Sequence, residues 1–142
     1  SEKNFIKNII KEVNVDIIQF HGMEKDSFCS QFDKPFIKAV SYQNKELLLN
    51  LDQHYPNAYA FIVDSHQEGE MGGTGTTFQE KNLSFSSKKP ILVAGGINST
   101  NVINVVKTYN PYGIDVSSGV ESSKGIKSIK LIKELVEIIK NE

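Results

Sequence analysis

The stretch Pro90–Val102, PILVAGGINSTNV, contains one complete strand-to-helix step of the chain. Its apolar half is unbroken, which is typical of a parallel strand buried on both faces, and proline is tolerated at the start of a strand. Two glycines follow, and then Asn98, a residue type that often precedes a helix, here predicted over 99–109. The stretch therefore predicts a buried strand, a tight turn and a helix.

The same alternation runs along the rest of the chain. Apolar residues at helical spacing predict helices over 2–13, near 24–32, near 43–53 and over 128–140. Short apolar runs predict strands in VDIIQFHG (15–22), KPFIKAV (34–40), AYAFIVD (58–64) and YGIDVSSG (112–119). Five strands that alternate with helices indicate an α/β fold with a parallel sheet, and 142 residues fit a single domain, 1–142.

Composition argues against several classes of function. The formal net charge is −1, which gives no electrostatic support for binding nucleic acid or a membrane surface. No apolar run approaches the roughly 18 residues that a membrane-spanning helix needs. Cys29 is the single cysteine, which excludes an internal disulfide and fits a reducing cytoplasm. We therefore expect a cytoplasmic protein that binds neither nucleic acid nor a membrane.

Glycines and serines follow two consecutive predicted strands. Gly95 and Gly96 stand between a strand and a helix, where free backbone N–H groups and the helix dipole favour a phosphate. Ser117, Ser118 and Gly119 follow the next strand and add hydroxyls and close backbone N–H groups. In parallel α/β folds, ligands bind at this edge of the sheet. The alternative is that both segments are ordinary tight or serine-rich turns.

Asp64 ends the strand AYAFIVD and opens a long polar segment with glycines at Gly72, Gly73 and Gly75. The segment is no nucleotide P-loop, because no Lys-Ser or Lys-Thr pair closes it. It is also unlike a linker, since strands and helices continue directly after it. Long loops in compact domains are often lids over a site. Asp64 is accordingly a candidate general acid or base, or a cap for the amides of its own loop.

Three further residues carry alternatives. Asp115 lies between Ile114 and Val116, and a carboxylate in such an apolar strand is costly to bury unless it is partnered, by a ligand hydroxyl or by a backbone N–H. His21 ends the first predicted strand and is a ligand-binding or a structural histidine. Cys29 falls in a predicted helix and is interpreted as core. Histidine and cysteine occur nowhere at metal-ligand spacing, so no metal is expected.

Five motifs, in this order, closely resemble phosphoribosylanthranilate isomerase, an enzyme family of tryptophan biosynthesis. They are VDIIQFHG, PFIKAV, FIVDSHQEGEMGGTGTTF, ILVAGGINSTNV and GIDVSSGVESSKGIK, and the resemblance extends from about Val15 to the C-terminus. It implies a (β/α)₈ TIM barrel that converts N-(5′-phosphoribosyl)anthranilate to 1-(2-carboxyphenylamino)-1-deoxyribulose 5-phosphate by an Amadori rearrangement. The family needs no cofactor and no metal.

The resemblance also implies roles for the candidate residues. Asp64 matches the general acid that protonates the ribose ring oxygen. Asp115, near the sugar hydroxyls, and His21 are implied to bind substrate, as are Gly72, Gly73 and Gly75 of the loop that closes over it. The implied phosphate-binding residues are Gly95, Gly96, Ser117, Ser118 and Gly119.

Two family residues have no counterpart in the sequence. The family's general base is a cysteine at the end of the first barrel strand, and an arginine after the second strand binds the anthranilate carboxylate. This chain has no arginine, and Cys29 lies elsewhere. Its elements match the third helix and βα units four to eight, so we expect an incomplete barrel without the first three strands. Such a chain would carry the acid and the phosphate site without the base, and would be inactive alone.

Other functions stay open at this point. An incomplete barrel leaves raw sheet edges through which the chain can self-associate or pair with another chain. A non-catalytic module that binds sugar phosphates is therefore the main alternative. Another phosphate-binding barrel, such as an indole-glycerol-phosphate synthase, is a weaker one, because the segments MGGTGTTF (71–78) and GVESSKGIK (119–127) argue against it.

Overall fold

A computed structural model describes residues 2–65 and 83–142. The helices are α1 (Glu2–Glu12), α2 (Asp26–Cys29), α3 (Lys45–Leu49), α4 (Leu51–His54), α5 (Val102–Tyr109) and α6 (Ile129–Lys140). The strands are β1 (Ile18–Phe20), β2 (Phe36–Ser41), β3 (Ala60–Asp64), β4 (Ile91–Ala94), β5 (Gly113–Asp115), β6 (Glu121–Ser123) and β7 (Ile126–Lys127). Two 3₁₀ turns, Ser30–Phe32 and Ser118–Val120, complete the described elements.

Strands β1 to β5 form one sheet in the order β1-β2-β3-β4-β5. Every neighbouring pair is parallel. The prediction of an α/β fold with a parallel sheet is therefore confirmed. Because successive strands are neighbours, the carboxyl ends of all five lie side by side at one edge.

The main hydrophobic core lies between one face of the sheet and the helices. It contains alternate strand residues (Phe20, Phe36, Val40, Phe61, Val63, Val93) and helix residues (Leu48, Leu51, Val102, Val105, Leu135). Burial on both faces, predicted for most of the strands, holds for β3, where Ala60 to Val63 are buried. It is wrong for β5, whose three residues are half-buried or exposed, because β5 is an edge strand of this sheet.

Two predicted helices are shorter than expected. The helix near 24–32 ends at Cys29 and continues only as a 3₁₀ turn, since Asp33 adopts a left-handed conformation with φ 50°. The helix near 43–53 is divided at Asn50 into α3 and α4. The Asn50 side chain donates to the Glu46 carbonyl at 2.9 Å. Asparagine competes in this way with helical hydrogen bonding, which accounts for the break.

The helix predicted over 99–109 begins instead at Val102. Asn98 does not cap it with its side chain. Its Oδ1 accepts hydrogen bonds from the backbone N–H and the hydroxyl of Thr100, at 2.9 and 2.6 Å. These bonds close a turn before the helix, which is the alternative use of an asparagine side chain.

A short antiparallel hairpin follows the sheet and was not predicted. Strands β6 and β7 pair across a turn at Gly125, whose φ is +81°. The strand predicted in YGIDVSSG accordingly ends at Asp115, and Ser118–Val120 turn the chain toward the hairpin. The two strands have only three and two residues, which is too short for an alternating pattern of apolar and polar residues to be detected in the sequence.

Candidate active site

A row of side chains crosses the carboxyl edge of the sheet. Ser41 pairs with Asp64, Asp64 pairs with Ala94, and Ala94 pairs with Asp115. Residues in register across parallel strands share one face, so both aspartates lie on the face opposite the main core. They flank Ala94 on either side, which places their Cα atoms about 10 Å apart, twice the spacing between strands.

Asp64 ends β3 and is half-buried. Its carbonyl accepts a hydrogen bond from the Tyr42 N–H at 2.9 Å, which extends the pairing of β2 and β3 past their ends. Its side chain lies beside Gly95, where an added Cβ would be 2.7 Å from Asp64 Oδ1. Gly95 also has φ +99°, a conformation that side chains disfavour. Glycine at this position therefore leaves room for the carboxyl group.

Ser65 joins the acid to the glycine loop and was missed from the sequence. It is buried, its N–H donates to the Ala94 carbonyl at 3.0 Å, and its hydroxyl donates to the Gly95 carbonyl at 2.9 Å. Ser65 thereby fixes the distance between the ends of β3 and β4. A serine directly after a strand-ending aspartate was the only local signal.

Asn101 holds the glycine loop from the other side and was also missed. Its side chain is buried, donates to the Gly96 carbonyl at 2.8 Å, and accepts from the Asn98 N–H at 2.9 Å. One amide group thus spans the turn from Gly96 to the start of α5. The loop is consequently held by side-chain hydrogen bonds at both ends.

Gly119 brings the second loop against the first. A Cβ built on Gly119 would lie 1.9 Å from the carbonyl oxygen of Ile97, closer than any side chain could approach. Ile97 and Val120 are both buried in the core cluster. The glycine-rich loop after β4 and the serine-rich loop after β5 therefore form one packed unit.

The two loops enclose a small cavity. Its lining is formed by Ala94 to Ile97 and Asp115 to Gly119. The cavity has a volume of about 70 Å³, and roughly 10–15 Å³ suffices for one water molecule. All five predicted phosphate-binding residues lie in this lining, together with Asp115. The cavity and these five residues are called the cradle below.

Asp115 is exposed, in contrast to its expected burial in an apolar strand. The expectation was wrong because β5 is an edge strand, so its end is open to solvent in this sheet. No desolvation cost arises, and no buried partner is required. The carboxylate is instead accessible at the mouth of the cradle.

His21 lies apart from the cradle. It follows β1 directly, is exposed, and contributes to a separate cleft with Gly22 and Ser41. Strand β2 separates β1 from the strand that carries Asp64. The structure therefore brings Asp64 and the five cradle residues together and leaves His21 two strands away from Asp64.

An ion pair between buried Lys38 and half-buried Glu24 supports the loop that carries His21, and it was missed from the sequence. Lys38 is 1% exposed. Its ammonium donates to the Gly22 carbonyl at 2.7 Å and to Glu24 Oε2 at 3.1 Å. Glu24 Oε2 also accepts from the Gly22 N–H at 3.0 Å, and the Tyr55 hydroxyl donates to the Glu24 carbonyl at 3.0 Å. Lysine in the apolar strand KPFIKAV was the available signal.

The charge state of Glu24 follows from these contacts. Burial by itself raises the pKa of the Glu24 carboxyl group, but hydrogen bonds from backbone N–H groups and from Lys38 outweigh burial. The pKa of Glu24 is therefore lowered from its ordinary value. The Glu24 carboxylate is accordingly charged at neutral pH. Residues 21–24 together with Lys38 are called the ion-pair loop below.

Cys29 belongs to the core, as predicted. It is fully buried, and burial raises the pKa of its thiol to about 11. The neutral thiol is a poor nucleophile and a poor base at neutral pH. Cys29 also lies on α2, away from the row of strand ends.

Gly72, Gly73 and Gly75 lie outside the described residues. Within residues 2–65 and 83–142, no three His, Cys, Asp or Glu side chains are grouped so that they could hold a metal ion. Over the same residues, no helix combines the length and apolar character needed to cross a membrane.

Comparison with known proteins gives one consistent result. A family model described as N-(5′phosphoribosyl)anthranilate (PRA) isomerase matches residues 1–138. The N-(5′-phosphoribosyl)anthranilate isomerase of Hahella chejuensis is 39% identical over 137 residues, which are 96% of this chain and 64% of the relative. The protein of that name from Neisseria gonorrhoeae is 44% identical over 119 residues, 84% of this chain and 57% of the relative.

A solved structure is similar over the whole described fold. The N-(5′-phosphoribosyl)anthranilate isomerase of Pyrococcus furiosus matches with a TM-score of 0.75 and 29% identity. The match covers 99% of this chain and 70% of the solved one. The chain thus spans less than two thirds of the length of the curated relatives it matches.

Proposed function

Because the chain belongs to the N-(5′-phosphoribosyl)anthranilate isomerase family, we propose that it takes part in the isomerisation of phosphoribosylanthranilate in tryptophan biosynthesis. The proposed reaction is the Amadori rearrangement to 1-(2-carboxyphenylamino)-1-deoxyribulose 5-phosphate. The chain supplies the general acid and the phosphate site for that reaction.

One observation supports this proposal most directly. Asp64 lies one strand away from the cradle, on the same face and at the same edge of the sheet. A phosphate anchored in the cradle places the rest of a ribose phosphate along this edge, toward the carboxyl group of Asp64. Backbone N–H groups in such loops favour an oxyanion. The site therefore suits a sugar phosphate that needs a proton donor.

The chemistry begins with two proton transfers. Asp64 gives its proton to the ribose ring oxygen while the C1–O bond breaks, and the nitrogen lone pair forms the C=N bond of a Schiff base. A general base then removes the C2 proton, and the resulting enolamine tautomerises to the keto product. Asp115, exposed at the mouth of the cradle, accepts hydrogen bonds from sugar hydroxyls. A positioned acid of this kind contributes about 10²–10⁴-fold to the rate.

We also propose that β1 to β5 correspond to barrel strands four to eight of the family. The general base of the family is a cysteine at the end of the first barrel strand. Cys29 does not fill that role, since its thiol is buried and has a pKa of about 11. The 142 residues on their own are therefore expected to bind the phosphate group without turning over the substrate.

A non-catalytic role is the second candidate. The same burial of Cys29 favours it, because a chain without a thiolate at the strand ends can hold a sugar phosphate but cannot deprotonate C2. In this alternative, Asp64 caps its own loop and has no acid role. The two candidates share the cradle and differ in the effect of Asp64 on turnover.

The test uses this chain joined to the first two βα units and the third strand of the Hahella chejuensis relative, the part that the family resemblance implies to carry the cysteine and the arginine. We expect the hybrid to isomerise phosphoribosylanthranilate. Asp64→Asn in the hybrid should lower kcat about 10²-fold or more. Binding of ribose 5-phosphate should change little, because the amide keeps the size of the carboxyl group.

Asp16→Asn is the matched control, since Asp16 is exposed before β1, at the opposite end of the sheet. It should leave turnover unchanged. Turnover of the Asp64→Asn hybrid within tenfold of its parent would remove Asp64 from the acid role. A folded hybrid that binds ribose 5-phosphate without turnover would favour the non-catalytic candidate.

Four expectations stay predictions. They are the cytoplasmic location, self-association through β1 and β5, the absence of nucleic-acid binding and the absence of a cofactor.

A further inference from the structure

A lysine outside the cradle holds one of its residues. The Lys127 ammonium, on β7, donates to the Ser117 carbonyl at 3.0 Å and to the Ser117 hydroxyl oxygen at 3.1 Å. It also donates to Glu121 Oε1 at 2.6 Å. Ser117 lines the cradle, whereas Lys127 does not. The ammonium group of Lys127 thus links the hairpin to Ser117 of the cradle.

The number of donors limits what Lys127 can do. An ammonium group has three N–H donors and no acceptor. All three have protein partners here, two on Ser117 and one on Glu121. Lys127 therefore reaches a ligand in the cradle through Ser117 and not through a donor of its own.

The hydroxyl group of Ser117 can still donate one hydrogen bond. It offers one O–H donor and two acceptor lone pairs, and Lys127 occupies a lone pair. Among residues 2–65 and 83–142, no acceptor receives the hydroxyl hydrogen of Ser117. Because the ammonium repels that hydrogen, the O–H group is directed away from Lys127. The cavity that Ser117 lines lies among the directions that remain.

We propose that Lys127 is a positioning residue that makes the Ser117 hydroxyl a dedicated hydrogen-bond donor to an oxyanion in the cradle. The inference rests on the proposed function, because it assumes that the cradle holds the phosphate of a sugar phosphate. It deepens that function by assigning part of the affinity to a residue that touches no ligand.

Glu121 keeps the ammonium in place. Its Oε2 accepts from the Gly125 N–H at 3.1 Å, while Oε1 accepts from Lys127. The carboxylate is thus fixed by the hairpin turn and in turn fixes Lys127. The hydrogen bond from Lys127 and the bond from the Gly125 N–H hold the pKa of Glu121 below its usual value, so the carboxylate is charged at neutral pH.

A purely structural role for Lys127 makes a different prediction. If the lysine only ties the hairpin to the Ser117 carbonyl, its loss acts on stability and leaves the hydroxyl of Ser117 without special importance. If it acts by its charge alone, its loss adds to the loss of the Ser117 hydroxyl. Action through the hydroxyl predicts that the two losses do not add.

The experiment measures the affinity of the full chain for inorganic phosphate and for ribose 5-phosphate at pH 7.5 by isothermal titration calorimetry. Lys127→Met and Ser117→Ala should each weaken binding about tenfold, the effect of one hydrogen bond to a charged group. The double variant should be no weaker than Ser117→Ala alone. Lys127→Arg should restore most of the affinity, because it keeps the donors.

Lys124→Met is the matched control. Lys124 is an exposed lysine in the turn of the same hairpin, and no hydrogen bond or ion pair of its side chain occurs among the described residues. Lys124→Met should leave phosphate affinity within twofold of the parent. This result would distinguish the effect of the contact with Ser117 from the long-range electrostatic effect of removing any lysine of the hairpin. Thermal unfolding by circular dichroism confirms that each variant is folded.

Three outcomes would overturn the inference. Unchanged affinity in folded Lys127→Met does so, as does a double variant whose loss equals the sum of the single losses. If Lys127→Met does not fold, Glu121→Ala replaces it. This substitution removes the oxygen that accepts from the Lys127 ammonium, so it should weaken binding at least twofold. A parent chain that binds no phosphate overturns both this inference and the proposed phosphate site, whereas the first two outcomes leave the proposed function intact.

Discussion

The two ends of the candidate site are built by different means. The cradle is made of backbone, held by the close approach of Gly119 to Ile97 and by the amide of Asn101. The ion-pair loop is held by a buried lysine and a glutamate. Both lie at the carboxyl edge of one sheet. The cradle depends on Gly119, where no side chain fits, whereas the ion-pair loop depends on two charged side chains.

The difference determines which substitutions should damage the cradle and which should damage the ion-pair loop. A backbone-built site loses its shape when an atom is added, because no alternative arrangement exists for the carbonyl that the atom meets. A site built on a largely desolvated ion pair loses stability when one partner is removed, because the other charge is left without its partner. Substitutions in the two regions should therefore differ in size and in what they affect.

Lys38→Met should have the largest effect on stability. Removal of one partner of a buried pair typically costs about 3–5 kcal/mol. The cost here should be near the lower end, because the remaining Glu24 side chain is 26% exposed. Glu24 is left with a backbone N–H in place of the ammonium. The free energy of unfolding, measured by urea denaturation, should fall by about that amount.

Lys107→Met is the control for that comparison. Lys107 pairs with Glu142 at 3.3 Å, but its side chain is 64% exposed. An exposed pair contributes about 0–1 kcal/mol, so this variant should be nearly as stable as the parent. Equal losses in the two variants would show that the Lys38 pair stabilises the protein no more than a surface pair does.

Gly119→Ala should have the second-largest effect on stability and the largest effect on phosphate binding. The new Cβ would lie 1.9 Å from the Ile97 carbonyl oxygen, so the two loops must separate. Overpacking of this kind costs about 1–3 kcal/mol. Phosphate binding should be lost altogether, since the cradle depends on the contact. Denaturation and phosphate titration measure the two effects on one sample.

Gly96→Ala separates the clash from the loss of a glycine. Gly96 has φ +64°, but a Cβ there would meet nothing within 4 Å. The cost is then the strain of the left-handed conformation, about 1–2 kcal/mol, with the cradle preserved. If Gly119→Ala kept phosphate affinity while Gly96→Ala lost it, the contact with Ile97 would not define the cradle.

The cradle and the ion-pair loop also differ in how well they could be predicted from the sequence. The glycines and serines of the cradle follow directly after two apolar strands, so both the residue types and their place at the sheet edge were visible locally. The five parallel strands were visible for the same reason. The role of a glycine between a strand and a helix can be predicted from the few residues on either side of it.

The residues that were missed depend on distant partners. Ser65 bonds to a carbonyl 30 positions away, and Lys38 to one 16 positions away. A sequence pattern cannot show such a partner, because the fold brings the two together. Asp115 was misjudged for a related reason: the same strand sequence is buried inside a sheet and exposed at its edge. Asn98 was misjudged because an asparagine side chain can either cap a helix or close a turn, and here it closes the turn at Thr100.

The reactivity of the Cys29 thiol gives the smallest of the expected effects. It also tests whether the cradle and the ion-pair loop open separately. The charge of Lys38 acts on the thiol and lowers its pKa, although burial is the larger influence and raises it to about 11. A folded pKa above the ordinary 9.0 means that the protonated thiol stabilises the fold below pH 9. That contribution is lost as the pH rises through about 11.

At pH 8 the buried thiol should accordingly react slowly with 5,5′-dithiobis(2-nitrobenzoate). Lys38→Met should accelerate labelling, because the ion-pair loop opens near Cys29 without unfolding the whole sheet. Gly119→Ala should accelerate it only as far as its loss of global stability requires. Equal acceleration per kcal/mol of lost stability would mean that the cradle and the ion-pair loop unfold together. In that case, the difference in how the two regions are built would have no counterpart in how they open.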